Sequence, residues 1–198
     1  MAEYDPSTAL LVVDMQNDFA DPAGGLYVRG GEELLALANR EIRSATEAGA
    51  VVVYTQDWHP PATPHFAKDG GVWPVHCVAG SWGAELVPGL DVAGPVIRKG
   101  VGGEDGYSGF TVRDPVTGDE EPTGLADLLR ERAVERVVIA GLATDYCVKE
   151  TGLDAVREGF ATAVLADGIR AVDLQPGDGR RALEDLARAG AEIVEGGR

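Results

Sequence analysis

Histidine, cysteine and basic residues are all scarce in this 198-residue chain, and each scarcity narrows what it can be. Lys and Arg number 17 against 33 Asp and Glu, which gives a formal net charge of −16 and a pI near 4.4. Binding to a phosphate backbone calls for a basic surface, so no nucleic-acid partner is expected and polyanionic substrates are disfavoured. Two cysteines, Cys77 and Cys147, are too few for a disulfide framework and fit a reducing compartment, which leaves each as a free thiol. Long hydrophobic runs are missing: Ala9–Val13 is stopped by Asp14, and Met1-Ala2-Glu3-Tyr4-Asp5 carries no basic region. Neither a membrane span nor a secretory signal is expected, and the chain reads as cytoplasmic. A glycine fingerprint for pyrophosphate is also lacking, because Met15-Gln16-Asn17-Asp18-Phe19 follows the first apolar run.

What is present suits one domain spanning residues 1–198, with a full-sized core drawn from 44% hydrophobic residues. Six short runs rich in β-branched and aliphatic residues recur: Ala9–Asp14, Ala50–Asp57, Pro95–Gly100, Val134–Gly141, Ala161–Asp167 and Ala191–Glu195. Several are almost continuously apolar, as strands covered on both faces should be. Helical patterns separate most of them: Glu32–Ala48, Thr123–Ala133, Thr144–Glu158 and Asp178–Ala189, closed by glycines or breaks. Strand–helix alternation predicts an α/β protein with a three-layer, Rossmann-like fold, its six-stranded, mainly parallel sheet flanked by helices. Two connections break the rhythm, Trp58–Gly94 and the Gly-rich Val101–Pro122, and loops of such length in a compact domain tend to be functional or disordered. The first reads as a metal-binding excursion and the second as a wall or flap. No internal repeat or low-complexity tract interrupts the chain.

All three histidines, His59, His65 and His76, fall within the first excursion, which follows directly on Asp57. Carboxylate oxygen and imidazole nitrogen are ligands for a divalent ion such as zinc, manganese or iron. Asp57 and His59 are two residues apart at the end of an extended run, so their side chains share a face. Taken singly, His59 and His65 also read as solvated loop residues and His76 as a core histidine. Their confinement to one stretch favours a metal site.

In an open parallel sheet the ligand site lies beyond the carboxyl ends of the strands. Those ends carry Asp14, Asp57 and Lys99, with Cys147 just past the fourth strand in Ala143-Thr144-Asp145-Tyr146-Cys147. Thr144 is the expected N-cap of the following helix. A helix N-terminus lowers a thiol's pKa and supplies N–H donors for an oxyanion. Asp14 alone would be an ordinary strand-end aspartate, Lys99 alone a surface lysine and Cys147 alone a packing residue. Together they suit nucleophilic catalysis, with a carboxylate as base, because no histidine remains if all three bind metal.

In these motifs the chain resembles the nicotinamidases of the isochorismatase-like hydrolase superfamily, over about Ala9 to Ala171. The segments that carry the resemblance are Val12-Val13-Asp14-Met15-Gln16-Asn17-Asp18-Phe19, Thr55-Gln56-Asp57-Trp58-His59, Trp73-Pro74-Val75-His76-Cys77, Lys99-Gly100 with Gly106-Tyr107-Ser108-Gly109-Phe110, and Gly141-Leu142-Ala143-Thr144-Asp145-Tyr146-Cys147-Val148. The resemblance implies a catalytic triad of Asp14, Lys99 and Cys147, and one divalent metal ion held by Asp57, His59 and His76. Zinc is the first choice for that ion, with iron or manganese as alternatives, and His65 matches a fourth ligand found in some members. Phe19 and Trp73 would sandwich a pyridine ring, with Tyr107 in the pocket wall. The N–H groups of Ala143 and Cys147 would form the oxyanion hole, beside a cis peptide between Leu142 and Ala143. The implied activity is hydrolysis of a small pyridine carboxamide, nicotinamide, through a cysteine thioester. The alternatives are another cysteine amidase acting on carbamoyl groups or other small amides, and a non-catalytic metal- or ligand-binding domain. Neither nucleic acid nor membrane is implied as a partner, and a homo-oligomer remains compatible with all of these readings.

Overall fold

Strand β1 (Thr8–Val13) is buried at every position, which requires a layer on each face of the sheet. In the computed structural model, which describes residues 3–195, β1 lies inside a six-stranded sheet. Its companions are β2 (Val51–Asp57), β3 (Val96–Lys99), β6 (Arg136–Leu142), β7 (Ala161–Arg170) and β8 (Glu192–Val194), in the order β3-β2-β1-β6-β7-β8. Every neighbouring pair runs parallel. Leu10 sits in register between Val52 and Val138.

Alternation along β1 divides the core into two layers. Leu10 and Val12 pack with Leu34, Leu37 and Ile42 of helix α2 (Leu34–Glu47). Ala9, Leu11 and Val13 face the other way, toward Leu125 and Leu129 of α3 (Leu125–Glu131), Ala155 of α4 (Lys149–Arg157) and Leu186 of α5 (Asp178–Ala189). Helix α2 buries Leu34, Leu37, Ala38, Glu41, Ile42 and Ala45, the three-and-four spacing that turns one helical stripe inward. Helix α5 stops at Gly190, whose left-handed φ of 107° gives the C-cap expected at that glycine. The three-layer arrangement is the one expected from the alternation of strands and helices.

Three local features differ from the expectation. The Val101–Pro122 connection contains an antiparallel hairpin, β4 (Thr111–Arg113) with β5 (Glu120–Pro122). Its strands are only three residues long and largely polar, so they leave no apolar pattern, and the turn between them is closed by Asp114 accepting the N–H groups of Val116 and Thr117. A short helix α1 (Asn17–Ala20) follows β1. The segment Thr144–Val148 forms a π-helical turn before α4, with Ala143 rather than Thr144 in the cap position.

Where β6 passes β1, Gly141 adopts φ 120° and a Cβ there would lie 2.0 Å from the Val13 carbonyl oxygen. Only glycine allows the two backbones this approach. Among the described residues, no helix is long and apolar enough to cross a membrane.

Leu129→Ala, at a fully buried position of the α3 layer, is expected to lower the unfolding free energy by about 2–5 kcal/mol. Urea titration should show a lower midpoint with an unchanged slope.

Candidate functional site

Chain order reverses in the sheet between β1 and β6, and at such a point the loops from adjacent strands part to leave a crevice beyond the carboxyl ends. Asp14 follows β1 in a left-handed conformation, φ 47°. Asp57 and Lys99 end β2 and β3 and are paired in register. Cys147 lies in the π-helical turn after β6. All four are buried.

Lys99 Nζ is the centre of this cluster. It lies 2.7 Å from Asp14 Oδ2 and 3.6 Å from Cys147 Sγ, and it also donates to the Gly106 carbonyl. Asp57 Oδ1 is 2.8 Å away, an ion-pair contact without hydrogen-bond alignment. Thr55, not singled out from the sequence, orients Asp14: its hydroxyl donates to Asp14 Oδ1 at 2.6 Å and accepts the Asp14 N–H at 3.1 Å. Burial opposes the Lys99 charge, yet Asp14, Asp57 and Cys147 together push the ammonium pKa well above its usual value. Burial also raises Asp14, and Lys99 offsets this only in part. The Cys147 thiol is pushed well up by burial and by the two carboxylates, against the pull of Lys99. This reverses the lowered thiol pKa expected from a helix N-terminus, because desolvation of a sulfur anion outweighs one cation already shared by two carboxylates.

The three histidines meet on the other side of Asp57. One ring nitrogen of each lies within 4.8 Å of the others, and Asp57 Oδ2 is 3.8 Å from His59 Nε2 and 4.0 Å from His76 Nε2. His76 Nδ1 faces the Pro74 carbonyl at 2.8 Å. A carbonyl only accepts, so that nitrogen carries the proton and Nε2 is left as a lone pair. Burial holds His76 down to about 4, which keeps the imidazole neutral as a metal ligand requires. Both nitrogens of His59 are buried without a hydrogen-bond partner, a costly state for polar atoms unless another group completes the site. One carboxylate and three imidazoles are a suitable donor set for a divalent transition ion. The loop just beyond His76 is fixed by Asp18, whose carboxylate accepts the Cys77 N–H at 2.6 Å and the Gly25 N–H at 2.8 Å.

Phe19, Trp73 and Tyr107 line one cleft with Cys147, Asp57, His65 and His76. Trp73 Nε1 donates to the Tyr107 hydroxyl at 2.8 Å. The same cleft is walled by Tyr146, set edge-on to Trp73 at 4.8 Å, and by Leu26, Val28 and Val172. Leu26, Val28 and Val172 leave no signal in the sequence, since apolar residues in loops have no periodicity, and Tyr146 reads there only as the neighbour of Cys147. Asp145 positions Val172 by accepting its N–H at 2.9 Å and that of Asp173 at 2.8 Å. Ala143 also borders the cleft, and its peptide bond to Leu142 is cis, as expected.

Fold and site together define a class: a doubly wound α/β protein whose switch-point cleft joins a thiol, a carboxylate and an ammonium to a cation-binding donor set. The Isochorismatase domain family matches residues 8–196, and the chain belongs to that family. It is 38% identical to a nicotinamidase of Escherichia coli (strain K12), over 95% of this chain and 94% of that protein. Among solved structures, the pyrazinamidase of Pyrococcus horikoshii in complex with zinc superposes with a TM-score of 0.86 at 41% identity, covering 96% of this chain and 99% of that one. PnC1 from L. infantum in complex with nicotinate superposes with a TM-score of 0.88 at 37% identity, covering 98% and 96%.

Lys99→Met should strand two buried carboxylates and cost about 3–5 kcal/mol. Because Lys99 pulls the Cys147 pKa down, its removal should also move the alkylation profile of that thiol to higher pH. An unchanged profile would show that the ammonium does not act on the sulfur. For the imidazole cluster, His59→Ala and His76→Ala should each lose most of the bound metal, and His65→Ala less, as measured by metal analysis of the purified variants.

Proposed function

We propose that residues 1–198 act as one isochorismatase-like hydrolase domain that hydrolyses nicotinamide to nicotinate and ammonia through a Cys147 thioester. The observation that carries this reading is the position of Cys147 Sγ, 3.6 Å from an ammonium that also holds Asp14, in a cleft shared with the imidazole cluster. The nicotinamidase and pyrazinamidase relatives, similar over nearly the whole chain, support the substrate class.

Cys147 rests as a thiol and Asp14 is its base. Asp14 takes the thiol proton as sulfur attacks the carboxamide carbon, and the carbonyl electron pair moves onto oxygen, where the N–H groups of Ala143 and Cys147 receive it. The C–N bond then breaks, with Asp14 returning the proton to nitrogen so that ammonia leaves. A thioester remains. Asp14 next takes a proton from water as its oxygen adds to the acyl carbon. The C–S bond breaks as Asp14 returns that proton to the sulfur, and the carboxylic acid product leaves and ionises to nicotinate in water. A carboxyl raised by burial suits this work, since it must accept and return a proton in each half-reaction. Lys99 keeps Asp14 oriented and balances the negative charge as it moves between carboxylate and sulfur.

Asp57, His59, His65 and His76 would hold one divalent ion, zinc before iron or manganese, which supplies a Lewis-acidic anchor for the pyridine nitrogen when bound. Phe19 and Trp73 flank the ring, and Tyr107, tied to Trp73, closes the wall. Two buried free thiols support a cytoplasmic location.

Cys147→Ala should abolish ammonia release while the fold and bound metal persist, whereas Cys77→Ala should remain active. A substantial rate in the Cys147 variant would replace the thioester route with direct attack by water. The substrate is tested by ammonia release from nicotinamide, pyrazinamide, benzamide and an N-carbamoyl amino acid. Activity on the first two and not on the last is expected, and the opposite pattern would make the protein a carbamoyl amidase.

A further inference from the structure

The Gly-rich segment after β3 does more than wall the cleft. Its Asp105 carboxylate lies 2.5 Å from Nδ1 of His65, a residue 40 positions earlier in the other long connection. The contact is built from both sides. The Asp105 backbone is fixed by two bonds to Arg113, N–H to carbonyl at 2.7 Å and carbonyl from N–H at 3.0 Å. The two connections are fastened again at Thr63, whose hydroxyl donates to the Gly103 carbonyl at 2.6 Å and accepts the His65 N–H at 3.2 Å. Packing behind the imidazoles is tight, since a Cβ on Gly100 would come within 2.4 Å of the His59 ring.

An ionised carboxylate can only accept, so the His65 nitrogen facing it carries the proton and Nε2 is left as a lone pair. Pro74 sets His76 in the same tautomer with a neutral carbonyl, but His65 alone of the three histidines has a carboxylate as the partner of its Nδ1. Such a partner fixes the ring's orientation and raises its basicity as a ligand.

We propose that Asp105 is a positioning residue for the cation site, holding His65 in place as an Nε2 donor to the ion. The inference rests on the metal-binding reading above, and Asp105 itself touches neither substrate nor the reacting sulfur in it.

The test is a double-mutant cycle on zinc affinity. The metal-free protein, Asp105→Ala, Asp105→Asn, His65→Ala and the double alanine variant are titrated with zinc against a chromogenic chelator. Asp105→Ala should weaken zinc binding by about 10–100-fold. Asp105→Asn should lose less, because its amide oxygen still accepts from Nδ1. In the His65→Ala background, Asp105→Ala should change affinity by less than about twofold, as expected when one residue acts only through the other. The Asp105 bonds to Arg113 are made by the backbone, so the substitution leaves them in place.

Wild-type affinity in Asp105→Ala would overturn the proposal, as would an equal loss in both backgrounds or a His65→Ala variant with unaltered affinity. Ammonia release is scored separately. A protein that follows the cycle but leaves nicotinamide intact would refute the proposed reaction and keep the Asp105 role. An active enzyme whose zinc affinity ignores Asp105 would do the reverse.

Discussion

The arrangement depends on one buried cation. Moving an ammonium out of water costs several kcal/mol, a cost recovered only where opposite charges and acceptors surround it closely. Lys99 finds Asp14 and Asp57 at 2.7 and 2.8 Å and the Gly106 carbonyl as a further acceptor. These partners come from the ends of β1 and β2 and from the segment after β3. Strand register therefore matters to the chemistry: the pairing of Asp57 with Lys99 and the place of Asp14 one residue past β1 put the charges within reach. A shift of one residue in any strand would turn its charged end away from the cluster.

Asp57 joins the two halves of the site. One oxygen faces the ammonium and the other faces His59 and His76. Burial would raise its pKa, but Lys99 and the imidazoles outweigh that and hold the carboxyl far below the usual carboxylate range. The carboxylate stays ionised for both neighbours. The thiol side and the cation side thus form one electrostatic unit, and each loop bordering the cleft is tied to it: by Asp18 to the turn after His76, by Asp145 to Val172, and by Asp105 to His65.

Much of this is legible in the amino-acid sequence. The six runs match the six strands to within a few residues: central β1, β2 and β6 are mostly apolar because both their faces are buried, while the edge strands β3 and β8 are more exposed and show only as short aliphatic runs. Asp14, Asp57, Lys99 and Cys147 could be picked out because a parallel sheet gathers its strand ends on one side. The hairpin was missed because its three-residue, polar strands resemble loop. The π-helical turn at Thr144 was missed because its distinguishing bond, from the Val148 N–H to the Ala143 carbonyl, has no residue signature. The Cys147 shift runs opposite to the direction that local helix polarity predicts, because burial is a property of the assembled cleft.

By itself, the sequence determined the fold class, the strand ends that carry chemistry and the donor types available to a cation, since periodicity and residue chemistry are local properties. Tertiary structure alone decided which groups share an atom's surroundings: Thr55 on Asp14, Asp105 on His65, Leu26, Val28, Tyr146 and Val172 around the cleft, and the balance of burial against charge at Cys147. These pairings join residues far apart in the chain through the packing of loops, and no sequence period encodes the distance between two loops.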